Sequence, residues 1–309
     1  MTLVAYKSDP VRGAIWHEVF RREAPDLVLT DWSTSGEVAQ APYLVAWTPP
    51  ADLGVAMPNL RAFFCMGAGT DHLPWAEFPP GLPVVRMVDE ALTQSMAEYV
   101  AMAVLMLHRD MASYRADQAA GRWSARPVRA AADRRVGVMG LGVMGQAALQ
   151  ILKPFGFPLA GWSASRKRID GVETFAGMAE LDAFLDRADI LVCLLPLTSE
   201  TRGLLDADLF RKLPEGAMLV NAGRGGHVVE GDLLRALDEG RLASAVLDVL
   251  LSEPPSADDP LLAHPAVVVT PHVASATHPA GAARQVIAGI RAQQAGRTIP
   301  HTVDRTQGY

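Results

Sequence analysis

The sequence predicts an α/β protein of two doubly wound parallel-sheet domains, and three observations carry that prediction. Short apolar runs alternate with amphipathic stretches through the first part of the chain, down to "RAFFCM". The same rhythm restarts at Val136 with greater regularity. At 309 residues the chain exceeds the size at which one hydrophobic core keeps growing, so two cores are expected.

The elements follow in order. "LVAYK" reads as a strand, "GAIWHEVFRR" as a helix, then "DLVLT", "YLVAW" and "RAFFCM" as strands before the turn "GAGTD". From Glu90 to Gly121 the chain is rich in Ala, Met and Leu and lacks proline, which predicts more than one helix crossing between domains. Met96, Met102, Met106 and Met111 recur near helical spacing there, as core or subunit packing would require. After the polar segment "RWSARPVRAAADRR" come six strand signals separated by helical ones: "RVGVM", "PLAGWS", "DILVCLL", "AMLVNA", "ASAVLDVL" and "AVVVT". A last helical stretch, from Pro279 to Ala295, has no strand after it and is placed to return to the first domain.

Composition narrows the function. Half of the residues are hydrophobic, and the formal net charge of -6 comes from 34 acids and 28 bases with no long run of one sign, so no nucleic-acid partner is expected. No apolar window reaches membrane-span length, and "MTLVAYKSDP" lacks a charged-then-apolar leader pattern, so the expectation is a cytoplasmic protein with no membrane partner. Cys65 and Cys193 both fall in apolar strand-like runs and read as small buried hydrophobes, implying neither metal nor disulfide.

Gly140, Gly142 and Gly145 form G-x-G-x-x-G directly after an apolar strand and before a helix that opens with Val143 and Met144. The first glycine permits the tight turn, the second lets backbone approach a pyrophosphate, and the third lets helix pack on strand. The helix N-terminus adds free N–H groups and a positive dipole end. A site for NAD carries an acidic residue about twenty positions further on, to hold the ribose 2'-hydroxyl. Here "GWSASRKR" places Ser163 there, followed by Arg166, Lys167 and Arg168, so no negative charge repels a 2'-phosphate and cations are at hand. The cofactor predicted is NADP(H).

Ligands of an open parallel sheet bind outside the carboxyl ends of its strands. Three polar residues stand just past such ends: Arg224 in "AMLVNAGRGG", Glu253 in "AVLDVLLSEPP" and His272 in "AVVVTPHVAS". A cation, a carboxylate and an imidazole suit reduction of a 2-oxo acid. Arg224 would clamp the carboxylate and polarise the ketone, His272 would give a proton to the oxygen that receives charge, and Glu253 would be the imidazole's partner. His72 and His227 lie in neighbouring loops and read as loop hydrogen-bonding residues, while Trp47 in "AWTPP" either walls a pocket against larger 2-oxo acids or serves simple packing.

These residues together resemble a known family. Gly140 to Gly145, "NAGRGGHVVE", "LDVLLSEPP" and "TPHVAS" are similar to the signature segments of the D-isomer-specific 2-hydroxyacid dehydrogenases, in the same order. "FPLAGWSASRK", "LLPLTSETRGLL", "PHVASATHP" and "VDRTQGY" resemble its bacterial glyoxylate/hydroxypyruvate reductase branch, so the likeness covers nearly the whole chain. The resemblance implies Rossmann-like or flavodoxin-like sheets, with a cofactor domain (97–275) inserted into a substrate domain (1–96 and 276–309), and a homodimer packed through the long crossover helices. It implies Arg224, Glu253 and His272 as the catalytic set. Ala68 and Gly69 would offer backbone N–H groups to the substrate carboxylate, with Trp47, Arg224 and His272 also facing the substrate. Leu195, Pro196 and Thr201 would lie along the dinucleotide, Ala222, Gly223 and Arg224 would flank the nicotinamide ribose with His272 beside it, and Asp248 would bind the carboxamide. The expected reactions are glyoxylate to glycolate and hydroxypyruvate to D-glycerate.

The 3-hydroxyacid dehydrogenases share a turn like "GLGVMG", but theirs opens the chain and their chemistry uses a lysine. Here no lysine follows Lys212. A relative with a different 2-oxo acid specificity, or a corepressor-like dinucleotide sensor on the same fold, would retain the glycines. Formate dehydrogenases pair their histidine with glutamine, which Glu253 argues against.

Overall fold

The computed structural model describes residues 1–7, 10–32, 36–67, 69–70, 72–88, 90–275 and 278–304. Its contacts divide the chain into two compact units, Met1–Leu92 with Ala276–Tyr309, and Thr93–Ser275. The sequence reading put the first crossing at 96/97.

The smaller unit opens with β1 (Thr2–Lys7), α1 (Pro10–Glu23), β2 (Leu27–Asp31), β3 (Tyr43–Ala46), the one-turn α2 (Leu53–Ala56), β4 (Ala62–Cys65) and β5 (Val84–Val85). Among the described residues these strands form one parallel sheet in the order β2-β1-β3-β4-β5, the flavodoxin-like arrangement. β5 is only two residues long, too short to show a periodic signal. In α1, Trp16 and Phe20 stand one turn apart and both are fully buried, which gives this otherwise polar helix its inner face.

The chain then runs through α3 (Glu90–His108) and α4 (Met111–Ala119), separated at Asp110, whose φ of 53° interrupts the helix. The proline-free stretch is thus two helices, as its length suggested. Met96 is buried, but Met102 and Met111 are exposed, so the core reading of the methionine stripe holds only at its start.

In the larger unit follow β6 (Val136–Met139), α5 (Val143–Leu152), β7 (Leu159–Ser163), β8 (Glu173–Ala176), α6 (Leu181–Leu185), β9 (Ile190–Cys193) and α7 (Ala207–Lys212). It is completed by β10 (Ala217–Asn221), α8 (Glu230–Asp238), β11 (Leu242–Leu247), α9 (Pro260–Ala263) and β12 (Val267–Val269). The sheet order is β12-β11-β10-β9-β6-β7-β8, parallel throughout, which is the Rossmann order with an added edge strand. Successive side chains enter opposite layers. Leu191, Leu219 and Ala245 pack with Phe184 and Leu233, while Val192, Val220 and Val246 pack with Val100, Val104 and Leu149. Both faces are therefore covered by helices, as an all-parallel sheet requires.

β8 is the strand that the sequence did not announce. Its residues are half-buried or exposed at the sheet edge, so no apolar run marks it. Finally α10 (Pro279–Gln294) returns to the smaller unit, packs on α1 and buries Ala282, Ala283, Val286 and Ile290. Cys65 and Cys193 are both buried, and burial pushes the Cys193 thiol up to about 12, which keeps it an unreactive core residue. Among the described residues no helix is long and apolar enough to cross a membrane.

Candidate active site

The glycine turn follows β6 directly. Gly140 has φ 98°, and a Cβ there would sit 2.6 Å from the Leu194 carbonyl oxygen. A Cβ on Gly145 would lie 1.8 Å from the Gly140 carbonyl oxygen, so α5 reaches this close to the turn only with glycine at that position. Gly142, by contrast, faces open space and is the N-cap of α5, so the amides of Val143 and Met144 start a helix whose first-turn N–H groups have no intrahelical acceptor. That combination of an open approach and unpaired amides fits a pyrophosphate.

At the end of β7 the Ser163 hydroxyl donates to the Ser165 carbonyl at 2.8 Å. Arg166 is spread along the sheet edge. One guanidinium nitrogen donates to the Thr174 carbonyl of β8 at 2.7 Å, and another meets the Glu180 carboxylate. Glu180 also accepts from the Ala176 amide at 2.8 Å; that bond first, and Arg166 after it, hold its carboxyl below the usual range against the effect of burial. The Thr174 hydroxyl donates to the Lys167 carbonyl at 2.7 Å. The loop is thus laid down along β8, with the Lys167 and Arg168 side chains exposed. Among the described residues no hydrogen bond or ion pair claims either cation.

After β9, Leu195 is buried and the Pro196 carbonyl accepts from both the Thr201 hydroxyl (2.7 Å) and His227 Nε2 (3.2 Å). Thr201 also accepts from the Thr198 amide at 2.8 Å, so its hydroxyl closes its own turn. His227 is fully buried and accepts the Arg224 amide at Nδ1 (3.1 Å), which makes Nε2 the protonated nitrogen. This histidine ties the Arg224 turn to the Pro196 loop, the hydrogen-bonding role expected for it.

The Arg224 turn is shaped from beneath by Asn221, which is fully buried and absent from the sequence reading. Its side-chain oxygen accepts from the Gly223 amide (3.2 Å) and its amide nitrogen donates to the Arg224 carbonyl (3.0 Å). The guanidinium of Arg224 donates to the Gly223 carbonyl at 2.8 Å, and Ala222 beneath it is buried. On the other side, Gly225 presses against the backbone of Leu250 and Leu251.

Asn221, Leu247 and Val269 are register partners at the ends of β10, β11 and β12, so the loops that carry Arg224, Glu253 and His272 leave the sheet side by side. One oxygen of Glu253 accepts from the Leu250 amide at 3.0 Å, which fixes the carboxylate; Glu230, at the start of α8, holds the adjacent Leu251 amide at 2.9 Å. The other oxygen of Glu253 lies 2.7 Å from His272 Nδ1. The imidazole therefore donates from Nδ1 and presents Nε2 on its far side. Asp248, nearly fully buried, accepts the Thr270 hydroxyl (2.6 Å) and the Val273 amide (2.9 Å) on one oxygen and the Ala274 amide (2.8 Å) on the other.

In the smaller unit, Trp47 follows β3 and its ring stacks on His72, with centroids 4.0 Å apart and planes at 8°. His72 Nε2 donates to the Trp47 carbonyl at 2.9 Å, again the loop role expected. A Cβ on Gly67 would meet the Trp47 ring at 2.7 Å, so the indole lies flat against the loop after β4, the loop that holds Gly69. Trp47 stays 44% exposed, too open for simple core packing. Ala68 lies outside the described residues.

A dinucleotide-shaped turn on the same sheet as a carboxylate-paired imidazole defines a nicotinamide-dependent oxidoreductase. Residues 101–274 match the family model described as the NAD-binding domain of D-isomer-specific 2-hydroxyacid dehydrogenases. Solved structures agree over the full length. The chain is similar to an NADPH-dependent glyoxylate/hydroxypyruvate reductase from Sinorhizobium meliloti, solved with NADP and sulfate, at 37% identity, 100% coverage of both chains and a TM-score of 0.90. It is similar to a D-isomer-specific 2-hydroxyacid dehydrogenase from Xanthobacter autotrophicus Py2, solved with NADPH and MES, at 36% identity, 100% coverage of both chains and a TM-score of 0.90. A family protein from Klebsiella pneumoniae 342 matches at 40% identity over 99% of this chain and 98% of that one, with a TM-score of 0.89. The chain belongs to the D-isomer-specific 2-hydroxyacid dehydrogenases.

Proposed function

We propose that this protein reduces small 2-oxo acids with NADPH, converting glyoxylate to glycolate and hydroxypyruvate to D-glycerate. The observation that carries the reading is the 2.7 Å pair of His272 Nδ1 with Glu253, on the sheet that holds the glycine turn. NADPH, when bound, supplies the hydride that reduces C2 of the substrate. His272 gives the matching proton from Nε2 to the new alkoxide, so that a 2-oxo acid, a hydride and a proton yield one 2-hydroxy acid. Glu253 keeps Nδ1–H occupied and the ring oriented. Arg224 holds the substrate carboxylate and polarises the ketone, and the amides of Ala68 and Gly69 share the carboxylate.

For the cofactor, Gly140 to Gly145 with the amides of Val143 and Met144 take the pyrophosphate. Ser163, Arg166 and Lys167 take the 2'-phosphate, helped by Arg168. Leu195, Pro196 and Thr201 flank the dinucleotide through their backbone, and Ala222, Gly223 and Arg224 lie by the nicotinamide ribose. Trp47 limits substrate size. Exposed Met102 and Met111 on α3 and α4, with the exposed Trp123 and Val128 nearby in sequence, support a homodimer packed through this region. The compartment that suits this chemistry is the cytoplasm.

The test is a steady-state panel of glyoxylate, hydroxypyruvate, pyruvate and a branched 2-oxo acid, each with NADPH and NADH. The expected result is the highest kcat/KM for the first two acids and a clear preference for NADPH. No turnover with any 2-oxo acid would overturn the enzyme assignment, and equal use of NADH would overturn the cofactor assignment.

A further inference from the structure

His272 sits in an unusual backbone state. Its φ is 54°, in the left-handed region that non-glycine residues seldom occupy without surroundings that hold them there. Besides the Thr270 carbonyl, which accepts the His272 amide at 3.0 Å, one residue serves the whole turn. The amides of His272, Val273 and Ala274 are all accepted by Asp248, through its backbone carbonyl (2.9 Å), one carboxylate oxygen (2.9 Å) and the other (2.8 Å). The turn is wrapped on that carboxylate, so the orientation of the carboxylate sets where the imidazole points.

What orients Asp248 is a chain of hydroxyls. Thr270 lies 2.6 Å from the Asp248 carboxylate, and Tyr99 of α3 lies 2.6 Å from the Thr270 hydroxyl. A carboxylate only accepts, and threonine has a single hydroxyl proton, so the direction is fixed: Tyr99 donates to Thr270, and Thr270 donates to Asp248. Burial pushes the Tyr99 phenol up to about 12, so it remains a donor through the working range. One turn earlier on α3, Ser95 donates to the Ala274 carbonyl at 3.2 Å and ties the far end of the same turn to the same helix.

We propose that Tyr99 and Thr270 are positioning residues for His272, acting through Asp248, and that α3 thereby sets the aim of the proton donor. The proposal rests on the reading of His272 as that donor. Three hydrogen bonds already occupy the Asp248 carboxylate, of about four acceptor positions that such a group has. Holding the turn is therefore its first task, whatever contact it also makes with a nicotinamide.

The test compares Thr270→Val, which keeps the shape and removes the hydroxyl, with Thr270→Ser, which keeps the hydroxyl. Steady-state kinetics, NADPH dissociation constants from fluorescence titration and melting temperatures are measured on the full chain. Thr270→Val should lower kcat by roughly 10- to 100-fold, the scale of a misaimed catalytic group. Its NADPH dissociation constant should stay close to that of the wild type, and Thr270→Ser should recover most of the rate. Tyr99→Phe should show the same separation with a smaller loss of kcat, and it carries the test if Thr270→Val fails to fold. A wild-type kcat in Thr270→Val, or in Tyr99→Phe where that variant carries the test, would overturn the proposal. So would a matching loss of NADPH affinity, which would assign the hydroxyl chain to the cofactor. A His272→Asn control separates the two ideas: activity retained there removes the donor reading itself, whereas its loss beside an active Thr270→Val removes only the positioning role.

Discussion

A Cβ at Gly225 would sit 1.9 Å from the Leu250 carbonyl oxygen and 2.4 Å from the Leu251 nitrogen, contacts with backbone that no rotamer change can relieve. That close approach keeps the Arg224 turn against the loop that carries Glu253. Gly225→Ala is expected to cost at least about 1–3 kcal/mol of stability, as overpacking does, and to lower kcat along with the melting temperature. An unchanged melting curve would show that the loops part without cost. Single residues were unevenly legible in the sequence. Arg224, Glu253 and His272 were visible because each stands just past an apolar strand. Asn221, Thr270 and Tyr99 were not, since nothing about a threonine and a tyrosine 171 positions apart announces a hydrogen bond between them. Glu230 was hidden for the same reason, its partner Leu251 belonging to another loop.

Elements show the same division between signal and silence. Six strands of the larger sheet were readable as buried apolar runs, and the turn after the first of them as a phosphate cradle. The seventh, β8, passes unmarked because none of its residues is fully buried. Yet β8 anchors the loop on which cofactor choice is proposed to depend, through the bonds of Thr174 to Arg166 and Lys167. This gives the two residues different duties. Lys167→Ala should weaken NADPH binding by roughly tenfold, about 1.4 kcal/mol, leave NADH binding unchanged and leave the melting temperature where it is. The difference should shrink with added salt, because the group lost is an exposed cation facing a phosphate. Equal weakening for both dinucleotides would remove Lys167 from the 2'-phosphate site.

For the whole molecule, the decisive feature is that the smaller unit is made from both ends of the chain. Arg284 of α10 forks onto Glu23 of α1 at 3.0–3.2 Å, and that bond first, with Arg22 after it, holds the Glu23 carboxyl down at about 2. A carboxyl lowered on folding adds stability that is complete above its ordinary value near 4.5 and vanishes as pH falls through about 2. Glu23→Gln should therefore melt earlier than wild type at neutral pH, with the gap closing between those two values. The pair is exposed, so salt should narrow the gap as well; a gap that is constant with pH would assign the effect to packing. In the residues themselves this arrangement is hinted at by a last helix with no strand after it, and the family resemblance implied the split. Which residues α10 would meet was not readable, because α1 lies more than two hundred and fifty positions away. The split has a consequence for how the protein is born. Among the described residues the hydrophobic clusters of the larger unit draw on residues between Met96 and Ala274, so a chain emerging from the ribosome holds those layers before α10 exists. The smaller sheet, whose strands precede the larger unit, must wait for α10 on α1 and for Val303 to reach the Val84 carbonyl. Strands β1 to β5, which precede the larger unit in the chain, thus complete their packing after it, and they are the apolar strands that an early chaperone would have to guard.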